Sequence, residues 1–248
     1  MFHFFSKKQF LKDLLEGFVD IHCHILPGID DGAKTVSDSI ELIEGLIDLG
    51  IREIIPTPHV MQDFYPNTDE SIGDSFEKLL EAMQGTSLSA IPVNPAAEYM
   101  IDTHFESLLN DNNLFTLKGR YVLIEMSYFQ PPMNLEGIIF NLKSHGYLPV
   151  LAHPERYIYF HRNKAKYSKL KQLGCFFQLN LLSLSDHYGK NVNEMADYLI
   201  GENMIDFVAT DTHHIDHVRK LSKIILKKNT ANNISSIIEN TTFNFSVS

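Results

Sequence analysis

Four stretches of this chain share one plan: an amphipathic helix stops at a glycine, and an apolar strand follows that runs into polar residues. SIELIEGLIDLG stops at Gly50 and IREIIPTPH then ends at His59; LEGIIFNLKSHG stops at Gly146 and YLPVLAHPER then reaches His153. KYSKLKQLG stops at Gly174 before CFFQLNLLSL, and VNEMADYLIG stops at Gly201 before MIDFVATDTH, with Asp211 and His213. Helical spacing closed by glycine, then an apolar run, is the signature of a βα unit. FVDIHCH, SAIPVNPAAEY ending at Glu98, and RYVLIEMS around Glu125 bring the set to about seven strands, mostly separated by helices, as parallel pairing requires. Histidines and carboxylates collect at the C-terminal ends of at least five of them. A closed β/α barrel brings side chains from many strands to one mouth at that end. An open doubly wound sheet gathers them only near its switch point. The spread over so many strands favours an α/β barrel.

Composition narrows the class. The chain has 248 residues, 44% of them hydrophobic, which suits one barrel or two small domains. No apolar run approaches the ~20 residues of a membrane span, and the opening MFHFFSKKQFLKDLLEG lacks a small-residue cleavage site. Residues 1–17 read as a short amphipathic helical extension before a domain spanning 18–248. The extension either packs on the domain or serves as a contact surface, and an oligomer is allowed. Only two cysteines occur, Cys23 and Cys175, without metal-finger spacing, which fits a reducing, cytoplasmic setting. A net charge of −10 with no long basic run disfavours nucleic acid, whose binding is driven by phosphate neutralisation.

Within FVDIHCHILPGIDDG, strand alternation puts His22 and His24 on one face and Cys23 on the other. One ion could take both imidazoles, although an H-x-H pair can also satisfy itself in a core. PGIDDG adds a turn with Asp30 and Asp31, and Thr35 with Asp38 has the pattern of a helix capping box. The other positions act jointly. His59 follows PTP, Glu98 follows PAA, His153 follows PVLA, and Asp211 and His213 lie two apart at a strand end. Glu125, between Ile124 and Met126, needs a counter-charge if buried, either an arginine or a metal ion. So many imidazoles and carboxylates exceed one tetrahedral ion and fit two or three carboxylate-bridged ions. Ligation without thiolate suits Mn²⁺, Fe²⁺ or Zn²⁺.

In order along the chain, DIHCHILPGIDDGAKT, TPH, AAEY, LIEMS, AHPER and TDTH resemble the PHP superfamily (polymerase and histidinol phosphatase). PGIDDGA and AHPER bring the chain nearest to the manganese-dependent bacterial tyrosine phosphatases of capsule and exopolysaccharide operons. The resemblance runs from about Val19 to His214 and implies a distorted (β/α)7 barrel, TIM-barrel-like, with a trinuclear metal centre. Carried over motif by motif, one ion takes His22, His24, Glu98 and Asp211; a second shares Glu98 and adds Glu125 and His153; a third takes His59, His213 and Asp31, the better placed of the aspartate pair.

The resemblance also implies hydrolysis of a phosphate monoester by in-line attack of a metal-activated water. Arg156, three after His153, is the candidate for holding a phosphate oxygen. The family's second arginine, after D-x-H and preceded by glycine, has no counterpart in DTHHIDHVRK; Arg219, His214 and His217 are the candidates to replace it. Phe64, Tyr65, Tyr128 and Phe129 are candidates for an apolar rim around a tyrosine ring. The family implies a phosphotyrosine protein as partner, the tyrosine-rich tail of a bacterial kinase controlling polysaccharide export. A histidinol-phosphate-type small-molecule phosphatase and a non-catalytic metal-binding regulator are the alternatives.

Overall fold

The computed structural model describes residues 8–247. Parallel strands alternate with helices along the chain. The strands are β1 (Phe18–Cys23), β2 (Ile51–Pro56), β3 (His59–Val60), β4 (Glu98–Met100), β5 (Tyr121–Glu125), β6 (Leu148–Ala152), β7 (Phe176–Asn180) and β8 (Phe207–Ala209). The helices are α1 (Val36–Asp48), α2 (Asp69–Met83), α3 (Thr103–Asn110), α4 (Leu135–Ser144), α5 (Ala165–Gln172), α6 (Lys190–Gly201), α7 (Ile215–Leu221) and α8 (Lys228–Phe245). β3 to β8 form one parallel sheet in chain order, and β1 pairs with β2 in a second. Backbone contacts join the two sheets on both flanks. Asp211 N–H donates to His22 O (2.8 Å) and His24 N–H to Thr212 O (2.9 Å) on one side. On the other, Ile54 N–H donates to Pro92 O (3.0 Å) and Glu98 N–H to Pro58 O (3.1 Å).

Proline explains where the strands depart from expectation. The run Ile51–His59 divides into β2 and β3 because Pro56 and Pro58 donate no backbone hydrogen bond. The strand expected over SAIPVNPAAEY begins at Glu98 instead of ending there; Pro92 and Pro95 leave an irregular approach with a 3₁₀ turn at Ser87–Ala90. Helix stops stand as expected at Gly50, Gly146 and Gly174, and Gly50 has a φ of +102° that a side chain would resist. The helix expected to stop at Gly201 ends there, and the left-handed turn that closes it falls two residues later at Asn203 (φ 54°), a conformation asparagine tolerates. The Thr35–Asp38 capping box is present: Thr35 N–H donates to Asp38 Oδ2 (2.8 Å) and Asp38 N–H to Thr35 Oγ1 (3.2 Å).

Both ends of the described residues pack on the domain. Of the extension expected over residues 1–17, residues 1–7 lie outside the described ones. The rest holds a 3₁₀ turn at Leu11–Leu14, not an amphipathic α-helix. Leu11 and Leu15 are buried, and Leu11 N–H donates to Ile224 O (2.9 Å). Within the C-terminal NTTFNFSVS, whose sequence reads as a closing strap or a frayed tail, NTTFNF belongs to α8. Buried Ile234, Ile238, Thr241 and Phe245 recur there at helical spacing. Phe245 packs in one cluster with Val19, Ile55, Leu123, Val150 and Phe207, drawn from strands of both sheets. Its ring lies 5.1 Å from Tyr121 and 4.9 Å from Phe207. Truncating a fully buried phenylalanine removes its transfer energy and leaves a cavity, so Phe245→Ala is expected to lower unfolding free energy by about 3–5 kcal/mol. Urea denaturation measures this; a loss below about 1 kcal/mol would show that α8 does not close this core.

Candidate metal centre

The ligand-type side chains converge because parallel register sets neighbouring strand ends side by side. His59 pairs with Glu98 across β3 and β4, and Met100 with Glu125 across β4 and β5. His22 lies where the β1 register shifts between Asp20 and Cys23, and His24 follows the strand end. Cys23 turns into the main core, opposite the two histidines. His153 and Asp211 carry left-handed backbones (φ 35° and 50°), a strained conformation for non-glycine residues that recurs at functional sites.

Glu98 stands at the centre. Its Oε2 lies 3.2 Å from His22 Nε2, 3.6 Å from His24 Nε2 and 3.1 Å from His59 Nδ1. Its Oε1 lies 3.0 Å from His153 Nε2. Asp211 Oδ1 lies 3.3 Å from His22 Nε2 and 3.4 Å from His24 Nε2. Asp31 Oδ1 lies 3.4 Å from both His59 Nε2 and His213 Nε2, and Glu125 Oε1 lies 2.9 Å from His59 Nδ1. Four overlapping sets have ligand atoms close enough for one ion: His22, His24 and Asp211; His22, Glu98 and His153; His59, Glu98 and Glu125; and His24, Asp31, His59 and His213. The structure thus brings together all nine sequence-predicted ligand positions. It groups Glu125 with His59, where the family pattern grouped it with His153.

The donor set fits divalent cations. Asp31 Oδ1, His59 Nδ1, Glu98 Oε2 and Glu125 Oε1 are buried atoms without a hydrogen bond. They approach one another without donor–acceptor geometry, as lone pairs aimed at a common centre do. Leaving such atoms unsatisfied costs several kcal/mol each, roughly 1–3 for a neutral group and more for a charged one. The electrostatics agree. Burial alone would lower the pKa of His59, but Glu125 and Glu98 raise it well above the usual range. Burial likewise opposes the charge on His24, but Asp30 and Asp211 together overcome it and raise the pKa to about 10. Burial would raise Glu98 and Asp211, but their neighbours together outweigh it, His22, His59 and His153 at Glu98 and His22, His213, His24 and Arg156 at Asp211, and hold both well below the carboxylate range. The carboxylates therefore demand positive charge.

Two orienting residues were not singled out as such in the sequence. Asp30 Oδ2 accepts from His24 Nδ1 (2.8 Å) and its Oδ1 accepts from Gly32 N–H (2.9 Å). That turn presses so closely on His24 that a Cβ on Gly32 would lie 2.0 Å from His24 O. Gln178 Oε1 accepts from His22 Nδ1 (2.9 Å), and its Nε2 is committed to Leu179 O (2.9 Å). Both partners leave the Nε2 of their histidine facing the cluster, as hydrogen-bond acceptors behind metal-binding imidazoles do. Alternation in FFQLN, which turns Gln178 to the same side of β7 as Asn180, was the available signal.

The cluster floors a cavity of about 470 Å³. Arg156 lines it, donating from Nη1 to Asp211 Oδ2 (2.8 Å) and stacking on Tyr128 (4.8 Å) and Tyr188 (4.2 Å). Phe64, Tyr65, Tyr128 and Phe129 line its mouth, with Phe64 74% and Phe129 95% exposed. Arg219 is not brought there: it sits on α7, exposed and bound to Asp216 (2.9 Å). His217 accepts from His213 N–H (3.3 Å) outside the cavity lining, and His214 is exposed. Among the described residues no helix is long and apolar enough to cross a membrane.

Residues 18–242 match the family described as capsular polysaccharide synthesis, CpsB/CapC. The tyrosine-protein phosphatase YwqE of Bacillus subtilis (strain 168) is 34% identical over 198 residues, covering 79% of this chain and 78% of that protein. The tyrosine-protein phosphatase CpsB of Streptococcus pneumoniae is 27% identical over 219 residues, covering 85% and 90%. A chain from the crystal structures of YwqE from Bacillus subtilis and CpsB from Streptococcus pneumoniae, described as metal-dependent tyrosine phosphatases, superposes with a TM-score of 0.76. It is 29% identical and the match covers 90% of this chain and 95% of that one. With its family match spanning nearly all the described strands and helices, this chain belongs to the CpsB/CapC family of capsular polysaccharide synthesis.

Proposed function

We propose that this protein is a metal-dependent protein-tyrosine phosphatase that uses Mn²⁺. The observation that carries the reading is the set of buried, unbonded ligand atoms under an aromatic-mouthed cavity. His22, His24, Asp31, His59, Glu98, Glu125, His153, Asp211 and His213 would hold two or three ions. Bound there, the ions would neutralise phosphate oxygens and lower the pKa of a coordinated water toward neutrality. Arg156 is held between two tyrosine rings and Asp211, so its guanidinium meets a phosphate oxygen without having to be ordered first. Phe64, Tyr65, Tyr128 and Phe129 flank the substrate ring. A phenol of pKa about 10 departs with less proton assistance than a serine alkoxide, and no acidic side chain beyond the cluster needs to supply a proton.

The flanking backbone contacts and the shared cluster around Phe245 support a distorted seven-stranded barrel in which β2 and β3 act as one interrupted strand. The natural substrate is a phosphotyrosine protein, the tail of a tyrosine kinase that governs polysaccharide synthesis, met in the cytoplasm. Protein loaded with Mn²⁺ is expected to hydrolyse phosphotyrosine peptides at least tenfold faster than phosphoserine peptides or histidinol phosphate. Faster turnover of either alternative would reject the tyrosine reading. Arg156→Lys keeps the charge but loses the planar fork, so kcat/KM on a phosphotyrosine peptide is expected to fall about 10–100-fold, the worth of one charged hydrogen bond. An unchanged kcat/KM would remove Arg156 from phosphate binding.

A further inference from the structure

Asp211 offers two oxygens, and the structure treats them differently. Oδ1 faces His22 and His24, while Oδ2 is turned away to accept from Arg156 Nη1 (2.8 Å) and from Asn180 Nδ2 (2.8 Å). Asn180 ends β7 and is fully buried, and every polar atom of its side chain is committed. Its Oδ1 accepts from Leu182 N–H (2.8 Å), and its Nδ2 also donates to Tyr188 Oη (3.0 Å). Reversing the amide would set donor against donor at Leu182 and acceptor against acceptor at Asp211, so only one orientation satisfies the site.

The backbone beneath is held as firmly. Asn180 N–H donates to Glu155 Oε1 (3.0 Å), and Ser183 Oγ donates to the same oxygen (2.7 Å). The buried carboxylate of Glu155 thus ties the end of β7 to the turn that carries Arg156. Tyr188 completes the arrangement, since it meets the amide of Asn180 and stacks on Arg156. One amide therefore touches the candidate ligand Asp211 and the ring that supports Arg156.

We propose that Asn180 is a positioning residue: it clamps Oδ2 of Asp211, aided by Arg156, so that Oδ1 is presented to the metal centre. The inference rests on the metal-centre reading above. Asn180→Asp is nearly isosteric and keeps the acceptor for Leu182 N–H. It replaces the donor to Asp211 by a second carboxylate oxygen at the same distance, and two such carboxylates repel. Mn²⁺ binding is measured by the electron paramagnetic resonance signal of free Mn²⁺, without substrate, on wild type, Asn180→Asp and Asn180→Ala. Thermal melting of the metal-free proteins checks the fold.

Expected is about a 10–100-fold weaker affinity for at least one ion, the usual effect of losing a hydrogen-bond partner that orients a metal-binding side chain. Asn180→Ala should fold and weaken binding too, and Glu136→Gln, at a half-exposed carboxylate paired with Lys166 away from the cluster, should bind Mn²⁺ like wild type. Wild-type affinity and stoichiometry in either folded Asn180 variant would overturn the assignment. Failure of both Asn180 variants to fold would overturn it as well, by making Asn180 a residue of the fold alone. If wild type itself bound no Mn²⁺, the metal-centre reading would fail first, an outcome distinct from either.

Discussion

Glu98→Gln is expected to lower kcat/KM on a phosphotyrosine peptide by about 10³-fold or more, equivalent to about 4 kcal/mol of transition-state stabilisation. Glu98 meets four imidazoles within 3.6 Å, those of His22, His24, His59 and His153. It is the residue best placed to bridge ions, because it enters two of the possible ligand sets and borders a third. Glutamine keeps the shape but removes the charge and places an N–H₂ where a lone pair is needed. Metal analysis should show at least one ion lost. The metal-free protein should melt near the wild-type temperature, because histidines that lose a neighbouring carboxylate can release protons instead of remaining as uncompensated buried charges. This separates the variant from Phe245→Ala, where stability falls first. Glu136→Gln, a half-exposed carboxylate paired with Lys166 (3.5 Å), is the control and should retain full activity. Activity within tenfold of wild type in Glu98→Gln would mean that the cluster does not carry the reaction.

Exhaustive treatment with EDTA should abolish phosphatase activity, and added Mn²⁺ should restore it. Chelation should also lower the melting temperature. An ion at 100 times its dissociation constant stabilises the folded state by about 2.7 kcal/mol, which for a chain of this size is roughly 5–10 °C. The pH dependence has a definite sign. Without cations burial opposes the charge on both histidines, but Asp30 and Asp211 together hold His24 protonated up to about pH 10, and Glu125 and Glu98 raise His59 well above its usual value. Binding a cation must displace such protons, so Mn²⁺ affinity should rise with pH and the thermal shift should shrink as the solution is acidified. Differential scanning fluorimetry at several pH values with and without Mn²⁺ reads this directly. Full activity after chelation, with no metal detected, would end the metal-dependent reading.

Most of the candidate centre was legible because metal chemistry restricts residue types. An alternating His22–His24 pair, a glutamate inside VLIEMS and a D-x-H at a strand end are costly in an ordinary core, and each marks a position without reference to the others. The helix–glycine–strand plan was legible for a similar reason, since amphipathic spacing and left-handed turns are local. Prolines misled at β2 to β4, where an apolar run read as one strand is broken by missing donors. The tail misled because NTTFNF has no strong helical signal until Phe245 has a cavity to fill.

By itself the sequence determined which imidazoles and carboxylates stand at the strand ends, their order and the parallel βα architecture that carries them, because these depend on residue chemistry and short-range spacing. The tertiary structure alone decided that Glu125 meets His59, that Asp30 supports His24 while Asp31 faces the cavity, and that Arg219 stays outside. It also decided that Gln178 and Asn180 hold His22 and Asp211 in place. Those outcomes depend on distances of tenths of an ångström between segments up to 156 residues apart, and such distances follow from strand register and core packing, which no local pattern encodes.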